Sequence, residues 1–400
     1  MASLQKKILP GIIVVLLALA GLAQAQVELG IDVLKNLGFA PLRGKRVGLV
    51  TNQTGVDSTG TRTRIILKNA PGVKLVALFT PEHGLDGTEL AGKYVGSRMD
   101  KATGLIAHSL YGPTRKPTPE MLKGIDVLVY DMQDIGSRSY TYISTMVKCM
   151  EAAGENNIEF VVLDRPNPLG GLRVEGPPIE PQWISFVGQL PVPYIHGMTA
   201  GELARMANDK GWTQTRCKLN VISMQGWQRQ MTWTDTGLRW VATSPNIPRA
   251  NSPFYYIATG IVGELAGLEI GCGGPEPFEI ISTKWLNAQK FTAYMDSLKM
   301  PGVSFTEYSS AGFEGSRMRI DPHTDANLCA LGIYMLAGLN RGENIFEKSR
   351  GDKLEMFYKC YGSESIRAQI ERGVPVSRIV AGWAPGIASF ENERKPYLLY

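Results

Sequence analysis

Apolar residues come along this chain in short unbroken runs, and the stretches between the runs have helical spacing. Residues 46–52 (RVGLVTN) form the first run, bounded by turn formers, and predict a buried strand. Residues 62–69 suit a helix, and residues 74–80, with Val76, Leu78 and Phe79, predict a second strand stopped by Pro81. Residues 106–110 suit a third strand, 126–131 (DVLVYD) a fourth and 159–164 (EFVVLD) a fifth. A helix over 140–156 joins the last two, with Tyr142, Thr145, Met146, Cys149 and Met150 near one face. Strands that do not alternate and are separated by helices are buried on both faces, so the pattern predicts a parallel α/β sheet.

The pattern then changes. Residues 165–194 are rich in Pro and Gly, and Thr199-Ala200-Gly201-Glu202 has the form of a capping box opening a helix to about Lys210. Residues 212–250 carry Trp212, Trp227, Trp233 and Trp240 among polar neighbours and read as loops with short strands. Beyond them lie a Gly-rich stretch at 260–274, a strand-like Phe278-Glu279-Ile280-Ile281 and mixed helix and strand. The expected organisation is a parallel α/β lobe over 26–250 and a smaller α+β lobe over 251–400, with a cleft between them.

The first 25 residues read as a signal peptide: Lys6-Lys7, an apolar run over 8–22, then Ala23-Gln24-Ala25 before a cut at Gln26. The run is shorter than the about 20 residues a bilayer span needs. The expected location is therefore the periplasm or the medium, with no stable membrane anchor after cleavage. Apolar content of 44% and charged content of 20% are those of a globular protein. The net charge of +5 includes Lys6 and Lys7, and the weak balance left is spread too evenly to suggest nucleic acid. Five scattered cysteines form no disulfide framework and no metal-ligand spacing.

Ligands of open parallel sheets bind outside the carboxyl ends of the strands, so the residues after each strand are the ones to inspect. After the first come Asn52-Gln53-Thr54-Gly55; after the second, Pro81-Glu82-His83-Gly84. After the fourth come Asp131, Gln133, Asp134, Arg138, Tyr140 and Tyr142; after the fifth, Asp164-Arg165-Pro166-Asn167. No G-x-G-x-x-G follows the first strand and no phosphate loop exists, so neither a dinucleotide nor a nucleotide site is indicated. The four histidines form no close pair, and G-x-S-x-G, S-x-x-K and H-E-x-x-H are missing, so no metal and no cofactor is expected. Carboxylates, amides, tyrosines and an arginine remain, an inventory suited to acid/base work on a polyhydroxylated substrate.

Glu82 is the leading catalytic candidate, its direction set by Pro81, and a shielded carboxyl there would donate a proton to a glycosidic oxygen. Asp131 or Asp134 offers a second acidic group, as do Glu175 in the loop after the fifth cluster and Glu264 in the Gly-rich opening of the second lobe. The 164–167 segment reads equally well as a turn with Asp and Asn bonding their own backbone. Arg138 and Arg165 are candidates to hold a carboxylate. Asn52, His83, Gln133, Tyr140, Tyr142 and Asn167 complete the expected substrate contacts. A periplasmic glycan-binding protein without catalysis, or an esterase or amidase acting on the same polymer, is the alternative reading.

The strings LVTNQTG (49–55), FTPEHG (79–84), YDMQDIGSRSYTY (130–142) and LDRPNPLGG (163–171) resemble a bacterial family long called a domain of unknown function. Its characterised members are the NamZ-like exo-β-N-acetylmuramidases, and the likeness spans almost all of 27–400. The resemblance implies removal of non-reducing terminal N-acetylmuramic acid from muropeptides or disaccharides of peptidoglycan, with Glu82 as general acid. It implies a Rossmann-like lobe and a smaller C-terminal lobe with the active site in the cleft between them, and it places Glu175 at the family's Glu-Gly-Pro position; the base or nucleophile is then expected to be Glu175, Asp131 or Asp134. Where the family's Gly-rich segment reads Phe-Glu-Gly-Thr-Asn and then Gly-Arg-Gly-Thr, this chain has Val-Gly-Glu-Leu-Ala-Gly (262–267) and Gly-Cys-Gly-Gly (271–274).

Overall fold

Strand β1 (Arg46–Thr51) is buried at every position but its first, as a strand covered on both faces must be. In the computed structural model, which describes residues 26–400, it lies at the centre of a seven-stranded sheet. The signal-peptide segment lies outside the described residues. β2 (Lys74–Thr80), β3 (Arg98–Asp100), β4 (Leu105–Ser109), β5 (Val127–Asp131), β6 (Glu159–Leu163) and β7 (Lys218–Ile222) complete the sheet in the order β3-β4-β2-β1-β5-β6-β7. All neighbours are parallel except the β3–β4 edge pair. Numbering only the six parallel strands gives 3-2-1-4-5-6, the doubly wound order of Rossmann folds.

Successive residues of each strand feed two cores. Val47, Leu49, Leu78, Val127, Val129 and Leu163 pack with Ile31, Leu34 and Leu67 from the helices Gly30–Asn36 and Thr63–Asn69 on one face. Val50, Phe79, Leu128, Tyr130 and Phe160 turn to the other face, against Met146, Val147 and Met150 of the helix Thr141–Glu155. The 200–209 helix has its expected capping box: Thr199 Oγ1 accepts from Glu202 N, and Thr199 N donates to Glu202 Oε2.

The second lobe has a four-stranded antiparallel sheet of β8 (Leu268–Glu269), β9 (Ile280–Thr283), β10 (Val303–Ser310) and β11 (Phe313–Ile320), ordered β10-β11-β9-β8. The β10–β11 hairpin turns through Ala311 and Gly312, both at positive φ (49° and 79°), the two-residue geometry that matches strand twist. Its helices bring Phe254, Ile257, Leu331 and Phe357 into the same core as Val50 and Phe79, so the lobes share one apolar interior. The chain end returns to the first lobe, where Tyr400 Oη donates to Asp164 Oδ2 at 2.8 Å. No helix among the described residues is long and apolar enough to cross a membrane.

Candidate active site

Glu82 leaves the end of β2 into a tight turn, with His83 and Gly84 both in the left-handed region (φ 68° and 74°). That turn fixes the carboxylate direction. Glu82 Oε1 accepts from the backbone N–H of Gly92 at 2.7 Å, and Oε2 from Thr141 Oγ1 at 2.8 Å. Thr141 opens the fifteen-residue helix Thr141–Glu155, so the positive end of that helix dipole faces the carboxylate. The Tyr111 phenol, just beyond β4, is pushed well above its ordinary pKa by burial and by the Glu82 charge beside it.

These groups line a cleft of about 520 Å³ between the lobes. Glu264, Tyr256, Leu268, Cys272 and Phe278 come from the second lobe, and His83, Tyr111, Ser139, Tyr140 and Thr141 from the first. The Glu264 carboxyl has no hydrogen-bond partner among the described residues, and its pKa is raised by burial and by the Glu82 charge, against the pull of Lys353. Two carboxyls thus share one cleft, and the charge of Glu82 bears on the ionisation of Glu264. Tyr140 donates to Thr243 Oγ1 at 2.8 Å and meets Tyr256 edge-on at 6.1 Å, so it walls the cleft. His83 Nδ1 bonds Glu89 O at 2.6 Å, which holds the loop facing Glu82.

The other expected site residues are placed elsewhere. Glu175 is buried at the lobe junction, where Oε2 accepts from Leu328 N (2.8 Å) and Cys329 N (3.2 Å) at the start of the helix Leu328–Leu339 and Oε1 pairs with Arg173. Asp131, fully buried, is neutralised by Arg165 Nε at 2.6 Å and bonded by Thr63. Arg138 is committed to four carbonyls, those of Pro177, Val192, Cys360 and Tyr361, and clasps the lobes together; burial lowers its pKa to about 10. Tyr142 backs Tyr140 and donates to Thr243 O.

Asn52 and Asn167 each accept from the backbone N–H two residues on (Thr54 and Leu169, 2.9 and 3.0 Å), and Asp134 accepts from Gly136 N at 2.7 Å. All three are turn-forming. Gln133 spends its amide N–H groups on Asp134 O and Pro166 O. None of these nine residues, Arg165 included, lines the cleft. Tyr111, Ser139, Thr141 and Tyr256 do, unforeseen; reading beyond the third strand as beyond the others would have found Tyr111. No group of three or more His, Cys, Asp or Glu among the described residues is arranged to hold a metal ion.

The comparisons agree with this architecture. Peptidoglycan beta-N-acetylmuramidase NamZ of Bacillus subtilis (strain 168) is 40% identical over 386 residues, covering 94% of this chain and 92% of that protein. The crystal structure of a DUF1343 family protein from Bacteroides fragilis superposes with a TM-score of 0.87 at 43% identity, covering 94% of this chain and 99% of the other. A second DUF1343 protein from that species gives 0.74 at 28% identity with the same coverage. Residues 47–251 match the N-terminal and 254–400 the C-terminal domain of exo-beta-N-acetylmuramidase NamZ, and together they establish that the chain belongs to that family.

Proposed function

We propose that this chain is an exo-acting glycoside hydrolase that removes non-reducing terminal β-N-acetylmuramic acid from peptidoglycan fragments. The observation that carries the reading is the pairing of Glu82 and Glu264 in one interlobe cleft, each from a different lobe. Burial and the Glu82 charge favour the protonated form of Glu264, whose carboxyl has no hydrogen-bond partner among the described residues. That reverses the roles expected from sequence: Glu264 is the general acid, and Glu82 is base or nucleophile. Glu264 passes its proton to the glycosidic oxygen as the bond to the sugar breaks, while Glu82 activates water or attacks from the opposite side. Thr141 and Gly92 occupy only part of the acceptor capacity of Glu82 and aim the rest.

Arg138 and Arg165 are both spent within the fold, so neither holds the lactyl carboxylate. We assign that part to Arg115, which stacks on Tyr111 (5.4 Å) and Phe186 (4.4 Å) and has no ion-pair partner among the described residues. Export fits the substrate, which lies outside the cytoplasm, and amino-terminal sequencing of the secreted protein should begin at Gln26. The test of function is hydrolysis of a chromogenic β-N-acetylmuramide. Glu82→Gln should lose about 10²–10⁴-fold in kcat with its fold intact. Full activity in Glu82→Gln would sink the assignment.

A further inference from the structure

A second cavity, of about 390 Å³, opens where the loops after β1, β5 and β6 meet. It shares no lining residue with the Glu82 cleft, yet one segment walls both: Val241 and Ala242 face this cavity, Ser244, Asn246 and Ile247 the cleft. In the 3-2-1-4-5-6 order the topological switch lies between β1 and β5, the position where such sheets bind ligands.

The lining is built and unsatisfied. Gln53 and Gln133, 6% and 3% exposed, each carry an amide oxygen with no protein partner among the described residues. Arg62, half-buried, donates one bond to Gln53 O but has no carboxylate within ion-pairing distance among the described residues. Its pKa is lowered by burial and by neighbouring Arg64, a desolvated cation that an anion would relieve. Arg239 at the rim is likewise unpaired among the described residues. The other charges here are cancelled: Arg165 by Asp131, and Asp57 by Lys35 at 2.6 Å. Trp233 and Trp240 meet edge-on at 4.9 Å with both indole N–H groups bonded to backbone carbonyls, so their apolar faces are what a ligand would meet.

We infer that this cavity is a second ligand site, separate from the Glu82 cleft, for a small carboxylated saccharide. Arg62 and Arg239 take the carboxylate, and the indoles cover the ring. The inference concerns binding and stands whether or not the Glu82 assignment does.

Calorimetric titration of the purified protein with N-acetylmuramic acid tests it. Arg239→Glu, at an exposed position, should weaken one binding event by about tenfold or more and leave hydrolysis of the chromogenic muramide unchanged. Arg62→Gln, which keeps a donor for Gln53 O, should weaken the same event. Neutral N-acetylglucosamine and the ring-free dipeptide alanyl-glutamate should each bind that site at least about tenfold more weakly. Absence of any event sensitive to both variants overturns the site. Equal binding of N-acetylglucosamine overturns the carboxylate assignment, and equal binding of the dipeptide overturns the saccharide assignment.

Discussion

Replacing Asp134 by Asn should stabilise the protein, and more so the higher the pH. Asp134 is buried, accepts one backbone N–H, and burial raises its pKa from 3.8 to about 7 against the opposing pull of the Gly136 and Ile135 amides. The folded state therefore holds this proton more tightly than the unfolded chain does. The associated stability is complete below the unfolded pKa and is lost as pH rises through the folded value. With each pK unit equal to about 1.4 kcal/mol, ionisation of Asp134 costs the fold on the order of 4 kcal/mol at pH 8 and roughly 2 kcal/mol at pH 5. Asn is neutral throughout and keeps an acceptor for Gly136 N. Its advantage over Asp should thus be about 2–3 kcal/mol larger at pH 8 than at pH 5, or about 3 °C in Tm for a chain of this size. Paired calorimetric melts at the two pH values read this directly, and Asp164, raised to about 6 in both proteins, cancels in the difference. A shift equal at both pH values, or larger at pH 5, would refute the reasoning.

The remaining predictions concern the two carboxylates, the lobe junction and substrate choice. Glu264→Gln should abolish the alkaline limb of the pH–rate profile, because wild-type activity falls as pH rises through the raised Glu264 pKa; turnover of natural fragments should fall about 10²–10⁴-fold. A limb unchanged in the variant would return the acid role to Glu82. Glu175→Gln should lower stability by about 1–3 kcal/mol in urea melts, since it weakens the bonds to Leu328 N and Cys329 N, yet leave kcat per folded molecule unchanged. Arg115→Ala should raise KM for a muramide roughly tenfold and leave hydrolysis of the matching glucosaminide unaltered, a split that a purely structural arginine would not produce.

What the sequence made legible follows burial. The strand expected at 46–52 is Arg46–Thr51, and that at 126–131 is Val127–Asp131, because a strand covered on both faces must be apolar without interruption. β7 and the β10–β11 hairpin were harder to see, since half-exposed strands such as Val303–Ser310 carry polar residues at most positions. The same physics sorted the candidate site. Asp131 and Arg165 looked like chemistry at the strand ends, but at near-zero exposure they neutralise each other. Arg138 looked like a carboxylate clamp, and both terminal nitrogens of its guanidinium are taken by backbone carbonyls from both lobes. No sequence pattern distinguishes a polar residue that faces a ligand from one that ties two loops together.

The seat of the cleft has its own cause. Segment 239–247 lies over the ends of β1 and β5, where Gln53 donates to Ala242 O and Thr243 O at 2.8 and 2.9 Å and Tyr140 and Tyr142 are anchored on Thr243. The strand ends richest in polar residues are therefore walled off from the interlobe cleft. That cleft lies to the side, at the ends of β2 and β4, which supply Glu82 and Tyr111, and the second lobe closes it with Glu264. The general rule for open sheets names the correct edge, and the lobe that follows the sheet decides which strand ends on that edge meet the interlobe substrate. Glu264 is invisible to any reading of the Rossmann strands alone because it reaches Glu82 only through the packing of two lobes across a shared apolar core. Glu82 is one end of a pair that the sequence separates by most of a domain and the fold brings into one cleft.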